Sequence, residues 1–148
     1  MRDRLFERSK QTMADVFSRA QRSAIMSRIT GKNTAPELIV RKLVHSLGYR
    51  YRLHSNRLPG KPDLVLPAHQ KIIFVHGCFW HGHLNCRRAT LPSTNVPFWE
   101  TKIARNKLRD RSVKRKLWRT GWRVFVVWQC QTKDIKKLRK RLAAFLEK

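Results

Sequence analysis

The chain has 148 residues, with 34 Lys and Arg against 9 Asp and Glu and a formal net charge of +25; the length suits one domain with its own core, and the charge points to a polyanionic partner, nucleic acid above all. A merely basic chain, or one lying on an anionic membrane, fits less well, because the positive charge is spread along the sequence instead of gathered in a tail. The first residues, MRDRLFERSK, lack a signal-peptide core, no apolar run approaches the ~18 residues needed to span a bilayer, and an odd count of 3 cysteines argues against a disulfide framework, so a soluble, intracellular protein is expected.

Residues 1–13 are charged and aperiodic and read as a flexible extension, with Met13 itself a possible natural start; residues 14–148 read as a single domain. Within 14–31 a short amphipathic helix is expected, with Ala24, Ile25 and Ile29 on its apolar side and Arg19, Arg22 and Arg28 free to meet a phosphate backbone. Thr34 to Leu47 is a helix: Thr34 and Glu37 stand at capping-box spacing, Leu38, Ile39, Leu43, Val44 and Leu47 form one stripe, and Gly48 stops it. Glu37 suits both the first turn of a helix and a site. Tyr49–Leu53 alternates weakly as a strand, Arg57–Lys61 turns, and Leu64–Leu66 and Lys71–Val75 form a hairpin across Pro67–Gln70.

Arg87–Pro97 is a polar loop, and Phe98–Arg119 a long basic helix whose imperfect apolar side holds Trp99, Ile103, Leu108, Leu117 and Trp118. Arg123–Trp128 is a buried strand, and Lys133–Lys148 a basic amphipathic helix with Ile135, Leu138, Leu142 and Phe145 inward. A strand that follows a long helix needs a crossover, so the α/β sheet should contain a parallel pair.

The chain is organised around Ile72–Cys86, IIFVHGCFWHGHLNC, in which a short apolar strand delivers a cluster of histidines, cysteines and aromatics to its own end. Cys78, His83, Cys86 and the distant Cys130 make a set of thiolates and imidazole suited to a closed, structural zinc site, with His81 competing with His83 for the fourth place; three buried free thiols are the alternative. Asp63 opens one strand of the hairpin and His76 ends the other, so both should reach one edge of the sheet. A carboxylate there suits magnesium, a histidine can take a proton from water near neutral pH, and Asp110 could orient that histidine. A turn cap for Asp63 and a surface ion pair for Asp110 are the alternatives.

PGKPD at Pro59–Asp63, FVHGCFWHGHLNC, FWETKIARN with Arg109-Asp110-Arg111, and VVWQC together resemble the very-short-patch mismatch repair endonucleases over roughly Ala14–Phe145. The resemblance implies a restriction-endonuclease-like core related to the PD-(D/E)xK nucleases, with a mixed central sheet flanked by helices. It implies a magnesium-dependent enzyme that nicks one strand of double-stranded DNA beside the thymine of a T:G mismatch left by deamination of 5-methylcytosine. On that pattern Asp63 and the Val75 carbonyl bind magnesium. His76 and His81 are the active-site histidines, His81 being the general base partnered by Asp110, and Glu37 and Asn106 surround the hydrated cation. Cys78, His83, Cys86 and Cys130 bind zinc, and Phe79, Trp80 and Trp99 wedge into the DNA stack. A bacterial cytoplasmic, nucleoid-associated monomer that hands its product to downstream repair proteins is implied as well. Phe74 and His76 stand where the wider superfamily carries an acid and a lysine, which favours a histidine-based mechanism, and Val75 replaces a threonine found in some members. The rival is a zinc-stabilised nucleic-acid-binding protein without catalysis, for which acids in so basic a groove have no use.

Overall fold

The computed structural model describes residues 32–148; the extension over 1–13 and the helix expected within 14–31 lie outside the described residues. Helix α1 spans Ala35–Ser46, and the Thr34 hydroxyl accepts from the Glu37 amide as expected. The reciprocal half of the capping box is replaced: the Glu37 carboxylate accepts the amide of Asn33 instead, at 3.0 Å. Gly48, at φ +90°, takes the left-handed turn that ends the helix.

Four strands follow in spatial order β1-β2-β3-β4: Arg52–Leu53, Leu64–Leu66, Lys71–His76 and Arg123–Trp128. The first three pair antiparallel, and β3 pairs with β4 in parallel, as the crossover through the intervening helix requires. Strand β1 is shorter than the expected Tyr49–Leu53. Its one neighbour among the described residues, β2, is itself short, and the ladder ends after Arg52↔Val65 and Leu53↔Leu64; Tyr49 and Tyr51 instead turn their rings onto the core.

Strand alternation divides the core in two. Leu64, Leu66, Ile73 and Val127 pack on one face against Val40, Leu43 and Val44 of α1 and Leu138, Leu142 and Leu146 of α3, the helix Ile135–Glu147. Val65, Ile72 and Phe74 pack on the other against Leu117 of α2, the helix Val96–Arg119. A sheet covered on both faces explains why β2 and β3 read as unbroken apolar runs. Each fully buried leucine here contributes about 1.5–3 kcal/mol.

Four expectations about the helices change. Helix α2 starts before Phe98, because Asn95 at φ +54° turns the chain and Pro97 fits a first turn that has no use for its missing N–H. Of its expected apolar side only Ile103 and Leu117 are buried, whereas Leu108 is 64% and Trp118 75% exposed, since the helix meets the sheet along a narrow line and leaves most of its circumference free. Helix α3 starts after Lys133, capped by Asp134, whose carboxylate accepts from the Lys137 amide at 3.1 Å. Ile135 lies outside the buried stripe of Leu138, Leu142 and Leu146 and is exposed. No helix among the described residues is long and apolar enough to cross a membrane.

Candidate active site and metal centre

Topology brings the chemistry to one end of the sheet. Antiparallel pairing of Leu64 with Ile73 puts Asp63, which opens β2, beside the end of β3. Parallel pairing of His76 with Trp128 puts the chain beyond β3 at the same height as the chain beyond β4. Cys78 and Cys130, each two residues past that pair, therefore meet, and the Cys130 amide donates to Cys78 Sγ at 3.4 Å. Between the sheet end and α2 lies a cleft of about 480 Å³.

The cleft holds Glu37, Asp63, Val75, His76, His81 and Asp110 together. One Asp63 oxygen accepts the Val75 amide at 2.7 Å. Burial raises the Asp63 carboxyl to about 6; the Val75 amide works against the rise and the nearby Glu37 charge adds to it. A buried carboxylate facing a second carboxylate is costly without a cation between them. Glu37, Asp63 and His54 bring possible ligand atoms within 4.8 Å of one another, and the two carboxylates fit a hard divalent ion better than a soft one.

His76 and His81 stack face to face, with ring centroids 3.8 Å apart and planes 4° from parallel. His76 is buried, and burial, with His81 and Lys114 close by, pushes its pKa down to about 3; it is a neutral imidazole. His81 Nδ1 lies 2.7 Å from Asp110 Oδ2. Burial opposes the Asp110 charge, but the hydrogen bond and the proximity of His81 hold its carboxyl below the ordinary range. An ionised carboxylate only accepts, so the His81 proton sits on Nδ1 and the Nε2 lone pair is left to act as a base. Asp110 is thus more than a helix-surface ion pair: it reaches from α2 to a histidine in the cleft.

Below this cleft, Cys78, His83, Cys86 and Cys130 bring four possible ligand atoms within 4.8 Å of one another. Of the two competing histidines, His83 joins the thiols, with Nδ1 3.4 Å from Cys130 Sγ, while His81 turns to Asp110. The ring of His83 stacks on Trp128 at 4.2 Å. Burial pushes the Cys78 thiol up to about 11, so a cation that replaces its proton would remove the cost of ionising it. Three sulfurs and one imidazole are a donor set that fits zinc. Gly82, at φ +59°, holds the loop against α2; a side chain there would run into Ile103 and Lys107.

Phe79, Trp80 and Trp99 are half-buried and pack edge to face, with centroids 5.1 Å apart for Phe79–Trp80 and 5.3 Å for Phe79–Trp99. They form one aromatic knob, in place of separate side chains projecting from the loop. Phe98, 57% exposed, extends it through Trp99, and Lys102 Nζ lies 5.8 Å from the Trp80 ring. Asn106, expected around the cation, is committed elsewhere: its amide donates to the Trp80 carbonyl at 2.8 Å and its oxygen accepts from Arg109 at 3.0 Å. Asn106 stands on the same face of α2 as Arg109 and Asp110, one turn earlier, and its bond to the Trp80 carbonyl steadies the knob.

Sequence reasoning missed five groups. Lys61, Arg109 and Lys114 line the cleft, and Arg41 and His54 both reach Glu37. The i,i+4 spacing of Glu37 and Arg41 was a legible signal. His54 gave none, since it comes near Asp63 only through the pairing of Leu53 with Leu64.

Residues 14–88 match the family model described as DNA mismatch endonuclease Vsr. The chain is 47% identical over 135 residues to the type II nicking enzyme V.XorIIP of Xanthomonas oryzae pv. oryzae, covering 91% of this chain and 98% of that one. It is 42% identical over 130 residues to the type II nicking enzyme V.NmeAIP of Neisseria meningitidis, covering 88% and 92%. Identity to the DNA mismatch endonuclease Vsr of Escherichia coli K12 is 40% over 126 residues, covering 85% and 80%.

Proposed function

This chain belongs to the Vsr family of DNA mismatch endonucleases and is a strand-nicking DNA hydrolase, and on that premise we propose that it cuts beside the thymine of a T:G mismatch in double-stranded DNA, by histidine-based hydrolysis on a restriction-endonuclease-like core. The observation that carries the chemistry is the 2.7 Å contact between His81 and Asp110 in the cleft that holds Asp63. Asp110 fixes the His81 proton on Nδ1, and Nε2 takes the proton of the attacking water. Neutral His76, stacked on His81, donates a hydrogen bond to the phosphate without adding charge. Lys61, Arg109 and Lys114 hold the phosphodiester at the mouth of the cleft. Magnesium, held by Asp63 and the Val75 carbonyl with Glu37 nearby, would polarise the scissile phosphate and stabilise charge on the leaving oxygen.

His81→Ala should lower the nicking rate about 10²–10⁴-fold with DNA affinity retained, measured by single-turnover cleavage and by binding in the absence of divalent cation; a folded variant that cuts at the wild-type rate removes His81 from the mechanism. A nucleic-acid-binding protein without catalysis accounts less well for a buried acid and a His–Asp pair in so basic a cleft. In the proposed function the protein works as a monomer at the bacterial nucleoid, in the cytoplasm, and leaves its nick to downstream repair proteins.

Zinc, held by Cys78, His83, Cys86 and Cys130, would tie the aromatic loop to the end of β4. Losing one ligand of a closed site costs folding energy directly. Cys86→Ser should therefore lose bound zinc and melt roughly 10 °C lower, the shift expected for a few kcal/mol in a domain of this size. Elemental analysis of the purified wild type gives the control: no zinc there means that the thiols are core residues.

A further inference from the structure

Glu37 is held more firmly than a residue of the cation's surroundings requires on packing grounds alone. Its side chain is 3% exposed, and one oxygen, Oε2, accepts three donors: the Asn33 amide at 3.0 Å, Arg41 Nη2 at 3.0 Å and His54 Nε2 at 3.2 Å. The other oxygen, Oε1, takes no hydrogen bond among the described residues, and Glu37 lines the cleft. Two features show that the arrangement is built at a cost. His54 adopts φ +45°, a left-handed conformation that few non-glycine residues take up. Arg41 is nearly buried, and its Nε finds no partner among the described residues.

Resting on the reading of Asp63 and Glu37 as the cation side of the cleft, we infer that Arg41 and His54 are positioning residues that clamp Glu37, so that its free oxygen faces the divalent cation beside Asp63. Without compensation, the buried Glu37 and half-buried Asp63 carboxylates repel each other, and the charge of Glu37 already raises the Asp63 carboxyl. The guanidinium of Arg41 offsets one of those charges. His54 adds the second side-chain donor and fixes which carboxylate oxygen turns outward. His54 comes close enough to group with Glu37 and Asp63 as a possible ligand, but its Nε2 lies 3.4 Å from Arg41 Nη2, where a metal ion would sit against a permanent positive charge, so the clamp uses it as a donor to Glu37. Hydrogen-bond partners of this kind, one step removed from a metal, typically govern affinity by 10–100-fold.

The test uses Mn²⁺ as a spectroscopic probe, titrated into DNA-free wild type, His54→Ala, His54→Gln, Arg41→Met and Asp63→Ala, with free Mn²⁺ read by electron paramagnetic resonance. Nicking rates across a Mg²⁺ series give half-saturation and maximal rate separately. His54→Ala should weaken Mn²⁺ binding about tenfold, raise the Mg²⁺ needed for half-maximal nicking by a similar factor, and keep the maximal rate. The Gln variant, whose side-chain amide still donates, should recover most of the affinity, and Arg41→Met should show the same loss where it folds. Unchanged Mn²⁺ affinity in folded His54→Ala overturns the clamp, as does a lower maximal rate with normal half-saturation. Loss of Mn²⁺ binding with Mg²⁺ dependence intact would make His54 a ligand and also overturn it. If wild type and Asp63→Ala bind Mn²⁺ equally, the cation site itself is misassigned and the clamp falls with it.

Discussion

Asp63→Ala should reduce nicking about 10³-fold or more while leaving affinity for duplex DNA close to that of the wild type. The size follows from the several kcal/mol that a bound cation supplies at a phosphoryl centre, each 1.36 kcal/mol being a factor of ten in rate. The retained affinity follows from charge. Phosphate binding is set by Lys and Arg, of which the chain has 34, and removing one carboxylate from that surface takes away repulsion if anything. The variant should also fold, because the lost hydrogen bond is to the Val75 amide near the end of a ladder whose pairs with β4 are intact. Single-turnover cleavage in magnesium and a binding titration without it separate the two effects. Cleavage at the wild-type rate in magnesium would exclude Asp63 as the residue that holds the cation.

Trp80→Ala should leave fold and zinc intact, bind matched duplex about as well as the wild type, and lose most of the preference for T:G over T:A. The ring is half-buried against Phe79 and Trp99 and not in either core cluster, so truncation opens no cavity in the sheet packing. Wedging an apolar ring between base steps costs a few kcal/mol of unstacking, and a mismatched step resists less. A difference of 1–2 kcal/mol between the two duplexes corresponds to roughly a 5–30-fold ratio of rates, the part that the variant should forfeit. The Trp80 carbonyl is still free to accept from Asn106 in the variant, so the loop keeps its anchor to α2. The ratio of nicking rates at fixed salt, with circular dichroism and zinc content as controls, reads the effect; a folded variant with the ratio unchanged means that the mismatch is read elsewhere.

Much of the site could be read from the sequence because its residues cluster in the chain or sit at fixed register. His76, Cys78, His81, His83 and Cys86 fall within one loop and the strand end before it. Asp63 follows from the hairpin, and Cys130 from its place past an apolar strand. What the sequence hid depends on tertiary pairing. The choice between His81 and His83 turns on which imidazole faces α2 and which faces β4, and spacing within a loop does not encode that. His54 reaches Glu37 only because a two-residue strand pairs with β2. The bond from Asn106 to the Trp80 carbonyl likewise joins residues 26 apart in the chain, a contact that spacing does not encode. The exposure of Leu108 and Trp118 has the same origin: periodicity marks an apolar side, but the width of the sheet beneath decides how much of it is buried.

The most direct test of the central claim is a strand-resolved nicking assay on two duplexes that differ only in T:G against T:A, each strand carrying its own label, with and without magnesium. A single nick in the thymine strand of the T:G duplex, dependent on magnesium and much slower on T:A, is the predicted result. Equal cutting of both duplexes, cutting of both strands, or full activity in chelator would contradict it.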